Sequence, residues 1–202
     1  MKILAMMAMT VAMETSVRAD DVTVYVQGLS VVPAPMLGRA RGLANEIFAG
    51  VGVKIDWYTG QPPRSQRSPQ TPIVIEMTTG TPRERLPGAL AFALPYEGVH
   101  IDVFYDRVHE ATEPQLTPNV LAHVLVHEIT HILQGTCRHS DTGIMKARWN
   151  HNDYMEMRLK PLSFTEEDVQ LIRFGVAERA NETLIAAAPS LLTWHPKQFA
   201  LR

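Results

Sequence analysis

The sequence predicts an α+β fold, a mixed β-sheet with a long helix packed on it and further helices gathered toward the C-terminal end. Short β-branched runs concentrate in the first half of the chain, and a single amphipathic helical pattern separates the first two of them. A long, unbroken apolar segment at 119–134 then opens a helical second half. At 202 residues, 46% of them hydrophobic and 20% charged, the chain has ordinary globular usage and enough length for one domain with a real core.

From the N-terminus, Lys2 precedes an apolar run at 3–13, and Val17-Arg18-Ala19 places small residues before a cut. This pattern predicts a signal peptide over 1–19, cleaved after Ala19, and a single domain over 20–202; the alternative is a frayed strand or helix. The apolar run is too short to span a bilayer, and no later stretch is long and apolar enough. The expectation is therefore a secreted or periplasmic protein without stable membrane insertion. Residues 22–26, Val-Thr-Val-Tyr-Val, read as a strand closed by Pro33 and Pro35. Leu37, Ala40, Leu43, Ala44, Ile47 and Phe48 recur at helical spacing over 36–49, and Gly50 and Gly52 end that helix. A second strand is predicted at 53–58, an exposed loop at 61–72 and a third strand at 73–77. Two more strands, 89–94 and 99–105, are joined by the turn-like Pro95-Tyr96-Glu97-Gly98. Thr117 as a capping hydroxyl and Pro118 at the first helical position introduce the helix to Gln134, with Gly135 at its end. A short helix is expected at 151–159, and a longer one at 164–180 started by Ser163 or Thr165.

A formal net charge of -2 carries no basic excess, which argues against nucleic acid as a partner. Cys137 is the sole cysteine, so an intrachain disulfide is impossible and extra stability must come from packing or from a bound metal. No G-x-S-x-G elbow or phosphate-binding glycine loop competes with the chemistry that follows.

That chemistry lies in His127-Glu128-Ile129-Thr130-His131, an H-E-x-x-H pattern inside the predicted helix. Residues four apart share a helix face, so both imidazoles can reach one cation, while Glu128 is rotated by about 100° to lie beside it. The apolar neighbours Val124, Leu125, Ile129 and Ile132 put these histidines near the interior. There a ligand role accounts for them, and a pair of hydrogen-bonded core histidines is the alternative. Gly135 lets the chain turn sharply and His139 follows as the third-ligand candidate, with Cys137 and Glu156 as competitors. Gly143-Ile144-Met145 fits a tight turn that brings a methionine close to the site, although an isolated methionine is ordinarily core filling. The remaining histidines, His100, His109, His123, His151 and His195, have no partner at ligand spacing and read as surface or core residues.

The segment 127–145 resembles the zincin metalloproteases, and among them the metzincins, whose pattern is H-E-x-x-H-x-x-G-x-x-H followed by a methionine turn. Here the order is H-E-x-x-H-x-x-x-G-x-x-x-H, with the glycine one place and the third histidine two places later. The run from His139-Ser140 through Gly143-Ile144-Met145 to Trp149 is similar to short exported bacterial proteins sharing this variant arrangement. The resemblance implies His127, His131 and His139 as ligands to one zinc ion, Glu128 as general base, Gly135 as the turn glycine and Met145 as the methionine beneath the metal. It also implies a zincin-like fold: a twisted mixed sheet and the motif helix form an upper lobe over about 20–135, and a smaller helical lobe over about 136–202 closes a cleft. An edge strand above the metal, 89–94 or 99–105, would then pair with an extended peptide.

The function expected from these residues is zinc-dependent hydrolysis, a metalloendopeptidase cleaving peptide or protein substrates with metal-activated water. Two alternatives stay open: a non-catalytic zinc-stabilised binding domain, which needs a closed site such as Cys137 would complete, and a hydrolase of a non-peptide amide.

Overall fold

The computed structural model describes residues 21–63, 71–80, 87–97 and 99–187, with side chains through Asn181. The predicted signal peptide lies outside the described residues.

Five strands form one sheet: β1 (Asp21–Gln27), β2 (Lys54–Thr59), β3 (Ile73–Thr78), β4 (Ala91–Ala93) and β5 (His100–Phe104), in the order β2-β1-β3-β5-β4. All neighbours are parallel except β4, which runs antiparallel to β5 at the edge. Alternation in the sequence sets the faces. Val22, Val24 and Val26 of β1 and Ile73, Ile75 and Met77 of β3 are buried, while the residues between them turn to the other side. Parallel pairing of β1 with β2 requires a crossover, and α1 (Ala34–Ala49) provides it, entering with proline in its first turn and burying Leu37, Ala40, Ala44, Ile47 and Phe48.

The second helix, α2 (Tyr105–Glu110), differs from expectation, because the strand predicted to reach Tyr105 stops at Phe104. Tyr105 is instead buried at the start of α2, with its hydroxyl 3.0 Å from Met36 Sδ. The following α3 (Thr117–Gln134) begins one residue before the first helical position predicted at Pro118, and Thr117 does not cap it. Leu116 is the N-cap residue without a side-chain cap, and the Thr117 hydroxyl donates back to the Glu113 carbonyl at 3.4 Å. The chain already turns at 113–116, so Thr117 sits inside the helix. A reciprocal capping box between Asn150 and Asp153 starts α4 (His151–Met157). The last helix, α5 (Glu166–Ala187), starts two residues later and runs seven residues further than the 164–180 predicted. Thr165 rather than Ser163 introduces it: its hydroxyl accepts the Asp168 amide at 3.2 Å, and the Asp168 carboxylate accepts the Thr165 amide at 3.0 Å.

The helix α3 is enclosed by its surroundings. Every residue from Val120 to Leu133 is buried, with α1, β4 and β5 packed on one side and the chain from α4 to α5 on the other. Fully buried Leu121, Leu125 and Ile129 each contribute about 1.5–3 kcal/mol relative to exposure. Gly175 of α5 brings that helix against α3 backbone to backbone, since a Cβ there would lie 1.6 Å from the Leu133 carbonyl oxygen. One continuous core therefore joins the sheet side to the C-terminal helices. Among the described residues no helix is long and apolar enough to cross a membrane.

Candidate metal centre

Three histidines of α3, His123, His127 and His131, follow one another at four-residue spacing, one helical turn apart. His123 is fully buried between two backbone groups. Its Nδ1 donates to the Asn119 carbonyl at 2.7 Å and its Nε2 accepts the Leu162 amide at 3.0 Å, which fixes a neutral tautomer and fits its core reading.

His127 and His131 are held differently. The Nδ1 of His127 donates to the Ile144 carbonyl at 2.8 Å, and the Nδ1 of His131 donates to the Thr136 carbonyl at 2.9 Å. A carbonyl oxygen only accepts, so both Nδ1 atoms carry the proton and both Nε2 atoms present lone pairs. Those Nε2 atoms lie 3.0 Å apart with no hydrogen to share. Burial, reinforced for His127 by the neighbouring His131, lowers the His127 imidazole to about 3, and burial lowers that of His131 to about 4. An imidazolium bridge at neutral pH is thereby disfavoured, and a shared cation fits the geometry.

His139 completes the cluster. Ligand nitrogens of His127, His131 and His139 all lie within 4.8 Å of one another, with ring centroids of His139 at 5.4 Å from His127 and 4.9 Å from His131. The loop reaches this position through two left-handed glycines. Gly135 (φ 64) ends α3, and its successor Thr136 turns its carbonyl back onto His131. Gly143 (φ 74) approaches the Ser163 carbonyl so closely that a Cβ would lie 2.0 Å from it. The tight turn there delivers the Ile144 carbonyl to His127, and Met145 beside it is fully buried with its own carbonyl accepting the Ser140 amide at 2.7 Å.

Glu128 is 8% exposed and accepts a hydrogen bond from the Ala93 amide of β4. Burial pushes its carboxyl up to about 8, against the opposing pull of that hydrogen bond. Near the histidines, a buried proton-hungry carboxyl and unprotonated imidazoles together make a site that a dication would complement.

The competing third ligands stand elsewhere. Glu156 is half-buried and pairs with Lys160 at 3.2 Å, while exposed Cys137 borders the same cleft outside the three-histidine group. His100 pairs with Glu97 and His109 stacks on Tyr105, and neither belongs to the three-histidine group; His195 lies outside the described residues. Three further contributors leave no mark in the pattern of residues. Two are backbone groups, the Ile144 and Thr136 carbonyls, which no side-chain pattern advertises. The third, Asp168, is buried 28 residues beyond Ser140, to which it is bonded. Trp149 belongs to the motif run, and the structure sets its ring edge-on to His127 at 5.7 Å.

The cluster opens into a cleft of about 810 Å³, bordered by Ala91 and Phe92 of β4 on one side and by Trp149 and Tyr154 on the other. Because β5 lies inside the sheet, β4 is the edge strand beside the site. Leu90 and Leu94 direct their bonds to β5, which leaves the backbone groups of Ala91 and Ala93 facing outward.

No protein-family model matches this sequence, and neither does any curated protein. Among solved structures the chain is similar to the crystal structure of archaemetzincin from Methanopyrus kandleri. The two share 15% identity at a TM-score of 0.53, with 78% of this chain and 96% of that chain covered. The likeness is one of fold, and it makes this a zincin-like architecture.

Proposed function

We propose that this chain, built on the archaemetzincin fold, is a zinc-dependent hydrolase, and specifically a metalloendopeptidase acting on peptide or protein substrates outside the cytoplasm. The observation that carries the reading is the pair of Nε2 lone pairs 3.0 Å apart, with His139 beside them and Glu128 in the same cleft.

His127, His131 and His139 would hold one zinc ion, each through a ring nitrogen. When bound, zinc supplies a Lewis acid that polarises a carbonyl and brings the acidity of water toward neutral pH. Glu128 takes the proton of the attacking water and hands it to the departing amine, and burial makes it a stronger base than an exposed carboxylate. The Ala93 amide holds that carboxylate toward the edge strand. An extended peptide adding to β4 would use the free amide and carbonyl of Ala91 and the carbonyl of Ala93, because the Ala93 amide is engaged by Glu128. The cleft favours this reading over a closed structural zinc site, which needs a fourth protein ligand. Among the described residues Cys137 is not part of the cluster.

Zinc content and casein cleavage of the protein and its Glu128→Gln variant test the assignment. The variant is expected to keep zinc and to lose turnover by about 10²–10⁴-fold. Full activity in the variant would remove Glu128 from the chemistry, and loss of zinc would make it a support of the site instead.

A further inference from the structure

The third histidine has a weakness that the other two lack. His127 and His131 are fixed to a helix and anchored through Nδ1, whereas His139 sits exposed on a loop. Among the described residues no hydrogen bond reaches its ring. Something else must hold this segment, since an unrestrained loop ligand would lose affinity to conformational entropy.

Both sequence neighbours of His139 run to the same carboxylate. Arg138 Nη1 donates to Asp168 Oδ1 at 2.9 Å, and the Ser140 hydroxyl donates to the same oxygen at 2.7 Å. The other oxygen, Oδ2, accepts the Thr165 amide at 3.0 Å and the Thr165 hydroxyl at 2.7 Å, which locks the carboxylate onto the first turn of α5. Arg138 also bonds Glu167 and donates to the Ser140 hydroxyl at 3.2 Å. Asp168 is fully buried, a costly place for a carboxylate that four donors make tenable. Those donors hold it below the usual range against the desolvation that opposes them. An N-cap partner alone needs only the Thr165 bonds. The second oxygen is spent entirely on the two residues that flank His139.

We propose that Asp168 is a positioning residue for the metal centre: it clamps residues 138 and 140 to α5 so that His139 is presented to the cation with its backbone already ordered. The inference rests on the metal-centre reading above. Asp168 touches no ligand ring, and of the three ligands only His139 has both sequence neighbours bonded to it; its charge also reaches His127 and His131 through space and raises both imidazoles.

A double-mutant cycle on metal affinity tests this, with zinc competition and cobalt absorption as readouts on folded protein. Asp168→Asn is expected to weaken zinc about 10–100-fold and to lower the intensity of the cobalt spectrum, as lost outer-shell support does. In the His139→Ala background the same substitution is expected to keep only the smaller loss that its charge exerts through space on His127 and His131, because the group it positions is gone. An effect of Asp168→Asn that persists in full without His139, or no effect in its presence, would overturn the assignment while leaving the metal centre standing. Failure of the unmutated protein to bind zinc or cobalt would overturn the metal-centre reading itself. Ser140→Ala carries the same cycle at smaller amplitude, with the buried carboxylate still bonded to Arg138 and Thr165.

Discussion

The two sides of the histidine cluster solve one problem in opposite ways. On α3 the backbone is rigid and the rings are free to choose a tautomer, so the structure spends its hydrogen bonds on the rings: Ile144 and Thr136 carbonyls fix both Nδ1 protons. On the loop from 136 to 149 the backbone is what needs fixing, and there the bonds go to the neighbours of His139 rather than to its ring. A helix supplies direction and needs orientation at the tip; a loop needs its path secured before any tip matters.

The largest expected effect would break this comparison outright. His131→Ala removes a buried, pre-oriented ligand and should cost at least about a thousand-fold in zinc affinity. His139→Ala should cost less, about a hundred-fold, because solvent can replace an exposed ligand. Competition with a chromophoric chelator measures both, and equal losses would erase the distinction between helix and loop.

Gly143 tests the path of the loop. Its left-handed conformation and its approach to the Ser163 carbonyl leave no room for a side chain. Gly143→Ala should destabilise the metal-free protein by about 3 kcal/mol, read as a drop in the urea midpoint. An unchanged midpoint would show that the turn can reform elsewhere.

The smallest effect sharpens the electrostatic side. With folded values near 3 and 4, His127 and His131 stay neutral when folded but take protons below about 6.5 when unfolded. Depressed folded values mean stability that is complete above about 6.5 and lost as pH falls toward 4 and 3. Glu128 works in the opposite sense, with a contribution complete below about 4.5 and lost as pH rises through about 8. Two histidines outweigh one carboxyl between 6.5 and 5, so their balance costs the metal-free protein on the order of 1 kcal/mol across that interval. Urea melts at the two pH values measure it. His131→Leu should remove about half of the histidine contribution, whereas His139→Ala should leave most of it. A profile indifferent to His131 would refute the buried-neutral description.

These contrasts also explain which features could be read in advance. The strands at 22–26 and 73–77 were legible because β-branched residues alternate there, and both appear within two residues of their predicted limits. The long helix and the grouping of His127 with His131 were legible because both follow from one period of 3.6. The short α2 was not, since six residues after a strand hold too little periodicity to separate from the strand itself. Thr117 looked like a cap because Thr-Pro usually is one, but a turn at 113–116 had already supplied the start. The parallel order of the sheet depends on pairings between distant segments, and no local pattern records them. In the site, residue types at fixed spacing could be recognised, whereas Asp168 and the two carbonyl anchors come from tertiary approach.

Both acceptors that steady the helix imidazoles belong to the main chain, at positions 136 and 144. Such an acceptor survives any replacement of its side chain, yet it shifts with every change in chain length. The stretch from 135 to 145 therefore works as a ruler: half-buried Thr136 can vary at its mark while Ile144 answers only to the core around it, and one residue inserted or deleted puts both carbonyls out of step with rings whose centroids stand 4.7 Å apart.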